Sequence, residues 1–181
     1  MLETVELPPG WGVTGVVSGS IRVQADRLGP TGLYADLVLD DLNYASHDGR
    51  NAAENVLSKL DASAHKRSAV WYFDAKLALP KGVVYAEPVF LDAATGGVTS
   101  SARGNWNPQR ELLQLDAWSV EMPGVAGVNG TGRLRGADLA IEDLTIVARS
   151  DHAGSFYTTL LQPFLIGSAA DDVEVQGSVV F

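Results

Sequence analysis

A chain of 181 residues with 46% hydrophobic content can build one sizeable core, or one elongated sheet covered on a single face, but not two ample domains. Its net charge of −9, from 13 Lys and Arg against 22 Asp and Glu, argues against a duplex-nucleic-acid binder and sets the surface as a whole against anionic headgroups. Cysteine is absent, which removes any disulfide framework, thiolate metal site or cysteine nucleophile and suits an oxidising compartment.

Alternation dominates the pattern, because a strand sends successive side chains to opposite faces. From Val13 through Gly15, Val17, Gly19, Ile21, Val23 and Ala25 the odd positions are apolar or glycine, against Thr14, Ser18, Ser20, Arg22, Gln24 and Asp26. Leu33, Ala35, Leu37 and Leu39 follow the same rule, as do Ala69, Trp71, Phe73, Ala75, Leu77 and Leu79. Further strands are predicted near 83–91, 97–106, 111–120, 126–135, 138–149 and 172–181. Turn chemistry falls at Gly29-Pro30, Asp48-Gly49, Pro80-Lys81-Gly82, Thr95-Gly96-Gly97, Asn107-Pro108 and Pro123-Gly124. This regular spacing predicts a mainly β fold: an antiparallel meander sheet in a single domain, curled into an open groove or a partial barrel or sandwich.

One helix is predicted near the C-terminus, about 155–166, where Phe156, Tyr157, Leu160, Leu161, Phe164 and Leu165 recur at helical spacing before Gly167. Its wide apolar stripe predicts that it docks across the apolar end of the sheet. The stretch from Asn51 is ambiguous: Asn51-x-x-Glu54 resembles a capping box and Ala53, Val56, Leu57 and Leu60 fit a helical face, yet the segment reads equally well as a strand ending at Ala64. There is also an internal echo: residues 35–42, ADLVLDDL, return at 137–144 as ADLAIEDL.

No constellation assembles an active site. His47, His65 and His152 are not paired at helical spacing, so no histidine metal site is predicted. No Gly-x-Ser-x-Gly elbow is present, and the glycines of Gly127-Val128-Asn129-Gly130-Thr131-Gly132 lead into continued alternation rather than into a phosphate-binding helix. The pairs Asp40-Asp41, Glu142-Asp143 and Asp171-Asp172 match no calcium loop, and adjacent strand residues point to opposite faces. The expectation is a non-catalytic protein with no cofactor and no metal. No stretch approaches the roughly 20 apolar residues of a transmembrane helix, and Met1 to Pro9 has no apolar signal core, so any signal or anchor is expected outside these residues.

Two segments carry a resemblance. The run Leu37-Val38-Leu39-Asp40-Asp41-Leu42-Asn43-Tyr44, continuing to Asp48-Gly49-Arg50 and Ala52-Ala53-Glu54, is similar to large proteobacterial envelope proteins of the AsmA-like and YdbH-like kind. So is the segment from Phe156 through Leu161-Gln162-Pro163-Phe164 to Ala170-Asp171-Asp172-Val173. In such families long antiparallel sheets curl into a groove whose apolar face shelters acyl chains between two membranes. The resemblance therefore implies a periplasmic, cell-envelope segment of a longer protein. Its partners would be phospholipid or another envelope lipid and neighbouring β segments of the same parent protein, with no nucleic acid. The lipid-contact residues would be Val13, Val17, Ile21, Val23, Leu37, Leu39, Trp71, Phe73, Leu77, Leu113, Leu115, Leu144 and Ile146, with Phe156, Leu160, Leu161 and Phe164 on the helix closing the groove end. A structural or adhesive β-sandwich binding protein or carbohydrate through its loops is the alternative, with tryptophans exposed at loop tips.

Overall fold

A computed structural model describes residues 12–86, 89–136, 140–150, 152–157 and 177–180. They form one antiparallel sheet, not closed into a barrel. The strands are β1 (Gly12–Asp26), β2 (Gly29–Ala45), β3 (Asn51–Arg67), β4 (Val70–Ala86), β5 (Val89–Asp92), β6 (Val98–Asn107), β7 (Leu112–Met122), β8 (Ala126–Arg135), β9 (Ala140–Ser150) and β10 (Val179–Val180). Apart from β5, which pairs only with β4, spatial order follows chain order from β1 to β10. The meander expected from alternation is the observed fold.

Of the two readings of the stretch from Asn51, the strand is observed, as part of β3. Other local readings are corrected. Pro80-Lys81-Gly82 is no turn but lies inside β4, and the strand expected at 83–91 is divided between the far half of β4 and the returning β5. The first hairpin turns at Arg27-Leu28, with Gly29 and Pro30 already in β2. Of the predicted helix, the described part is α1 (Ala153–Phe156), where Ala153 and Tyr157 are buried. Leu160, Leu161 and Phe164 lie outside the described residues, as does the docking expected of them. So does most of the strand expected at 172–181.

The departures around Asn51 and Pro80 share one physical origin. β-bulges, where two residues oppose one, cut across neighbouring strands. Leu39 and Leu42 on β2 span the same register as Ser58 and Val56 on β3. Ala53 and Val56 on β3 answer Tyr44 and Leu42, the step across Gly82 on β4, from Val83 to Lys81, answers Glu54 and Leu57, and the step from Lys81 to Ala78 across Pro80 answers Leu57 and Lys59. Asp41 (φ 52°), Asn55 (φ 50°) and Gly82 (φ 112°) take positive φ along this line. The single 3-10 turn Ala93–Thr95 interrupts the strand pairing of β5 and β6 with β4 at the same level.

Beyond this line the chain closes on itself. Ala53, Val56, Leu79, Ala93, Val98, Met122 and Val125 form the one buried cluster among the described residues, with Leu42, Tyr44, Val84, Leu91, Val120 and Ala126 packed on it. Among the described residues the rest of the sheet has no such cover. The surface of 12200 Å² is far above the roughly 8,400 Å² expected of a compact globule of this mass.

Candidate functional site

Directly opposed residues of paired strands share a face, so the registers sort every strand into two sides. One side is apolar from edge to edge. It carries Gly19, Leu37, Leu60, Leu77, Ser100, Val120, Val128 and Ala148 as one cross-strand row. A parallel row holds Val23, Leu33, Ala64, Phe73, Gly104, Leu115, Gly132 and Leu144. The other side is polar, with rows such as Ser20, Asp36, Asp61, Lys76, Ser101, Ser119 and Asn129.

Between the two apolar rows runs a row of small residues. Ala35, Ala62, Ala75 and Ala102 stand side by side on β2, β3, β4 and β6, with Ile21 before them on β1 and Trp118 after them on β7. Methyl side chains flanked by Leu37, Leu60 and Leu77 on one side and Leu33 and Phe73 on the other leave a furrow perpendicular to the strands. Its alanine floor crosses three inter-strand steps, roughly 14 Å. A hollow of about 230 Å³ lies at the β7 end of this floor, lined by Leu60, Ala75, Leu77, Ala102, Trp118 and Val120 together with Lys76, Ser100, Ser101 and Ser119.

Trp118 ends the floor because of its neighbour. A Cβ on Gly130 would stand 3.0 Å from Cε2 and Cζ2 of Trp118, so the indole lies across the bare backbone of β8. Its Nε1 is buried and has no hydrogen-bond partner, the one such side-chain atom on this face among the described residues.

All thirteen strand residues proposed from sequence for lipid contact fall on this apolar side. Val13 opposes Tyr44, Val17 opposes Leu39 and Leu37 opposes Gly19. Trp71 opposes Trp106, which in turn opposes Leu113, while Ile146 opposes Gly130. Val13, Val17, Ile21, Val23, Leu77, Leu144 and Ile146 are exposed, Ile21 to 64%. Leu37, Leu39, Trp71, Phe73, Leu113 and Leu115 are half-buried. On the helix, Phe156 is half-buried. Sequence reasoning missed Leu60, Ala62 and Ala102 as residues that give the furrow its shape, since alternation marks a face but not which residues stand abreast.

Titratable groups sit off this face or at its rim. At the β8–β9 end the Arg135 guanidinium donates to Glu142 and holds its carboxyl below its ordinary value. At the opposite end Asp48 accepts from the Ser46 hydroxyl at 2.6 Å and from the Arg50 N–H at 3.1 Å, which also lowers its carboxyl. His65 stacks on Tyr72 on the polar side, 5.6 Å between ring centroids. Among the described residues no three His, Asp or Glu side chains converge as metal ligands, and no helix is long and apolar enough to cross a membrane. Of the tryptophans, Trp71, Trp106 and Trp118 stand on the apolar face rather than in loops, and Trp11 lies outside the described residues. Comparison with protein-family models, curated proteins and solved structures finds no match.

Proposed function

We propose that the apolar face shelters lipid acyl chains, with the furrow over Ala35, Ala62, Ala75 and Ala102 as their seat, and that the protein acts as a non-catalytic lipid-binding segment of a bacterial cell envelope. The observation that supports this reading is an apolar side eight strands wide that, among the described residues, has cover only at the bulged end. Exposed apolar area on this scale marks an interaction surface rather than a tolerated blemish. The furrow suits hydrocarbon: its floor and flanks are aliphatic and aromatic apart from Ser100 beside Leu77, and each methylene it takes from water contributes about 0.8 kcal/mol. The resemblance to AsmA-like and YdbH-like proteins points the same way and would place the segment in the periplasm.

Native mass spectrometry of the purified chain, with lipid extraction, tests this reading. Bound phospholipid that exchanges with added lipid is the expected result. Ala62→Phe and Ala75→Phe, which fill the furrow without touching the buried cluster, should lower uptake several-fold at unchanged thermal stability. Uptake unaffected by both substitutions, or no specific uptake after delipidation, would overturn it.

A further inference from the structure

The charges of this acidic chain are unevenly distributed, and the adjacent tips of the β1–β2 and β3–β4 hairpins run against its sign. Residues 22–34 and 63–73 hold four of the chain's 13 Lys and Arg, together with His65, but only one of its 22 acids, Asp26. That acid is engaged locally, its Oδ1 accepting from the Leu28 N–H at 2.7 Å. Pairing of Gly32 with His65 sets the two tips side by side.

The apex residue Leu28 is 95% exposed, beside Arg27. On the next tip the Lys66 ammonium lies 6.0 Å from the Trp71 ring centroid, and the Arg67 guanidinium lies 5.6 Å from that of Tyr72. An aliphatic apex with cations around it and Trp and Tyr beside them supplies what a membrane interface takes: an aliphatic side chain for the hydrocarbon, cations for the phosphates, and amphipathic rings for the headgroup level. We infer that these two hairpin tips dock onto an anionic lipid bilayer, inserting Leu28 while Arg27, Lys66 and Arg67 meet the phosphates. A single-stranded nucleic acid would use open ring faces for stacking. Here Trp71 and Tyr72 each already have a cation over the ring, and the most exposed side chain is one that offers nucleic acid no hydrogen bond.

This docking uses residues outside the furrow floor, so it and the acyl-chain reading stand or fall separately: one is scored by vesicle binding, the other by lipid retained after extraction. The test is co-sedimentation with phosphatidylcholine vesicles and with vesicles containing phosphatidylglycerol, at low and high salt. Binding is expected only to the anionic vesicles, weakening with salt, and Lys66→Gln or Arg67→Gln should each lower partitioning about five-fold. Lys81→Gln, at the other end of β4, should leave it unchanged. Because the chain has no cysteine, Leu28→Cys supplies a single thiol for an environment-sensitive dye. Its emission should shift to the blue on anionic vesicles, whereas a dye at His47→Cys in the opposite turn should not respond. A silent dye at position 28, equal losses for Lys81→Gln and Lys66→Gln, or saturable binding of a single-stranded oligonucleotide without vesicle binding would each overturn the inference.

Discussion

Asn43 ties together two bulges on neighbouring strands: its Oδ1 accepts from the backbone N–H of Asn55 at 2.9 Å while its Nδ2 donates to the carbonyl of Asp41 at 2.9 Å. Both Asp41 and Asn55 sit at positive φ, where the ladder is interrupted and their backbone groups need other partners. Asn43→Ala removes both bonds and should cost about 1–2 kcal/mol in urea denaturation. Asn43→Asp keeps the acceptor for Asn55 but turns the donor facing the Asp41 carbonyl and carboxylate into a second anion, so it should also lie below wild type, and less so at acid pH. Equal midpoints for all three would mean that the bulge line needs no such tie.

Gly82 carries the same line into β4. A Cβ there would stand 2.5 Å from the Val56 Cα, and the backbone has φ 112°. Gly82→Ala must therefore move β3 or abandon the bulge, and should destabilise by roughly 1–3 kcal/mol. Gly49→Ala, at positive φ in an open turn with nothing within 4 Å, should cost less. Thermal denaturation of the pair separates steric from purely conformational cost.

Stability and surface function should separate along the strands. Met122 is 6% exposed in the buried cluster, and Met122→Ala should cost about 2–5 kcal/mol. Ile21→Ala, on the open part of the same face, should stay within about 0.5 kcal/mol of wild type in denaturation. A large loss at Ile21 would show that this part of the face is covered.

The Ser46–Arg50 turn should respond to acid. Hydrogen bonds from the Ser46 hydroxyl and then the Arg50 N–H hold the Asp48 carboxyl below its ordinary 3.8. A carboxyl depressed on folding stabilises above its unfolded value, and that contribution is lost as pH falls through the folded one. The turn should therefore loosen only below pH 3.8. An NMR titration should give a midpoint for Asp48 below that value, and Ser46→Ala should move it upward. Coincident midpoints would exclude the hydroxyl as the cause.

Most strands were legible because their period of two is uninterrupted, as in Val17–Val23 and Trp71–Leu79. The bulges were not legible, and they explain the misreadings. A bulge keeps residues i and i+3 on one face, so Ala53 and Val56 imitate a helix. The echo between 35–42 and 137–144 has the same cause: Leu39 to Leu42 and Ile141 to Leu144 both step three residues while their partners step two, with an acidic pair across each step. The furrow was hidden for another reason. Ala62 and Ala102 are unremarkable in their own strands and become a floor only when four registers bring them abreast of Ala35 and Ala75.

Because spatial order repeats chain order, each long strand leans chiefly on its two neighbours, and cohesion along the sheet is a sum of pairwise couplings rather than a single collective event. Such a ribbon can fray from the β1 and β9 borders without losing its centre. Amide exchange should then grade inward strand by strand, fastest at the borders and slowest near β3 and β4, where the bulge line and the buried cluster meet. Its folding would resemble the closing of a zipper, with short loops and near partners, and it would tolerate loss of a border hairpin far better than a break in the middle.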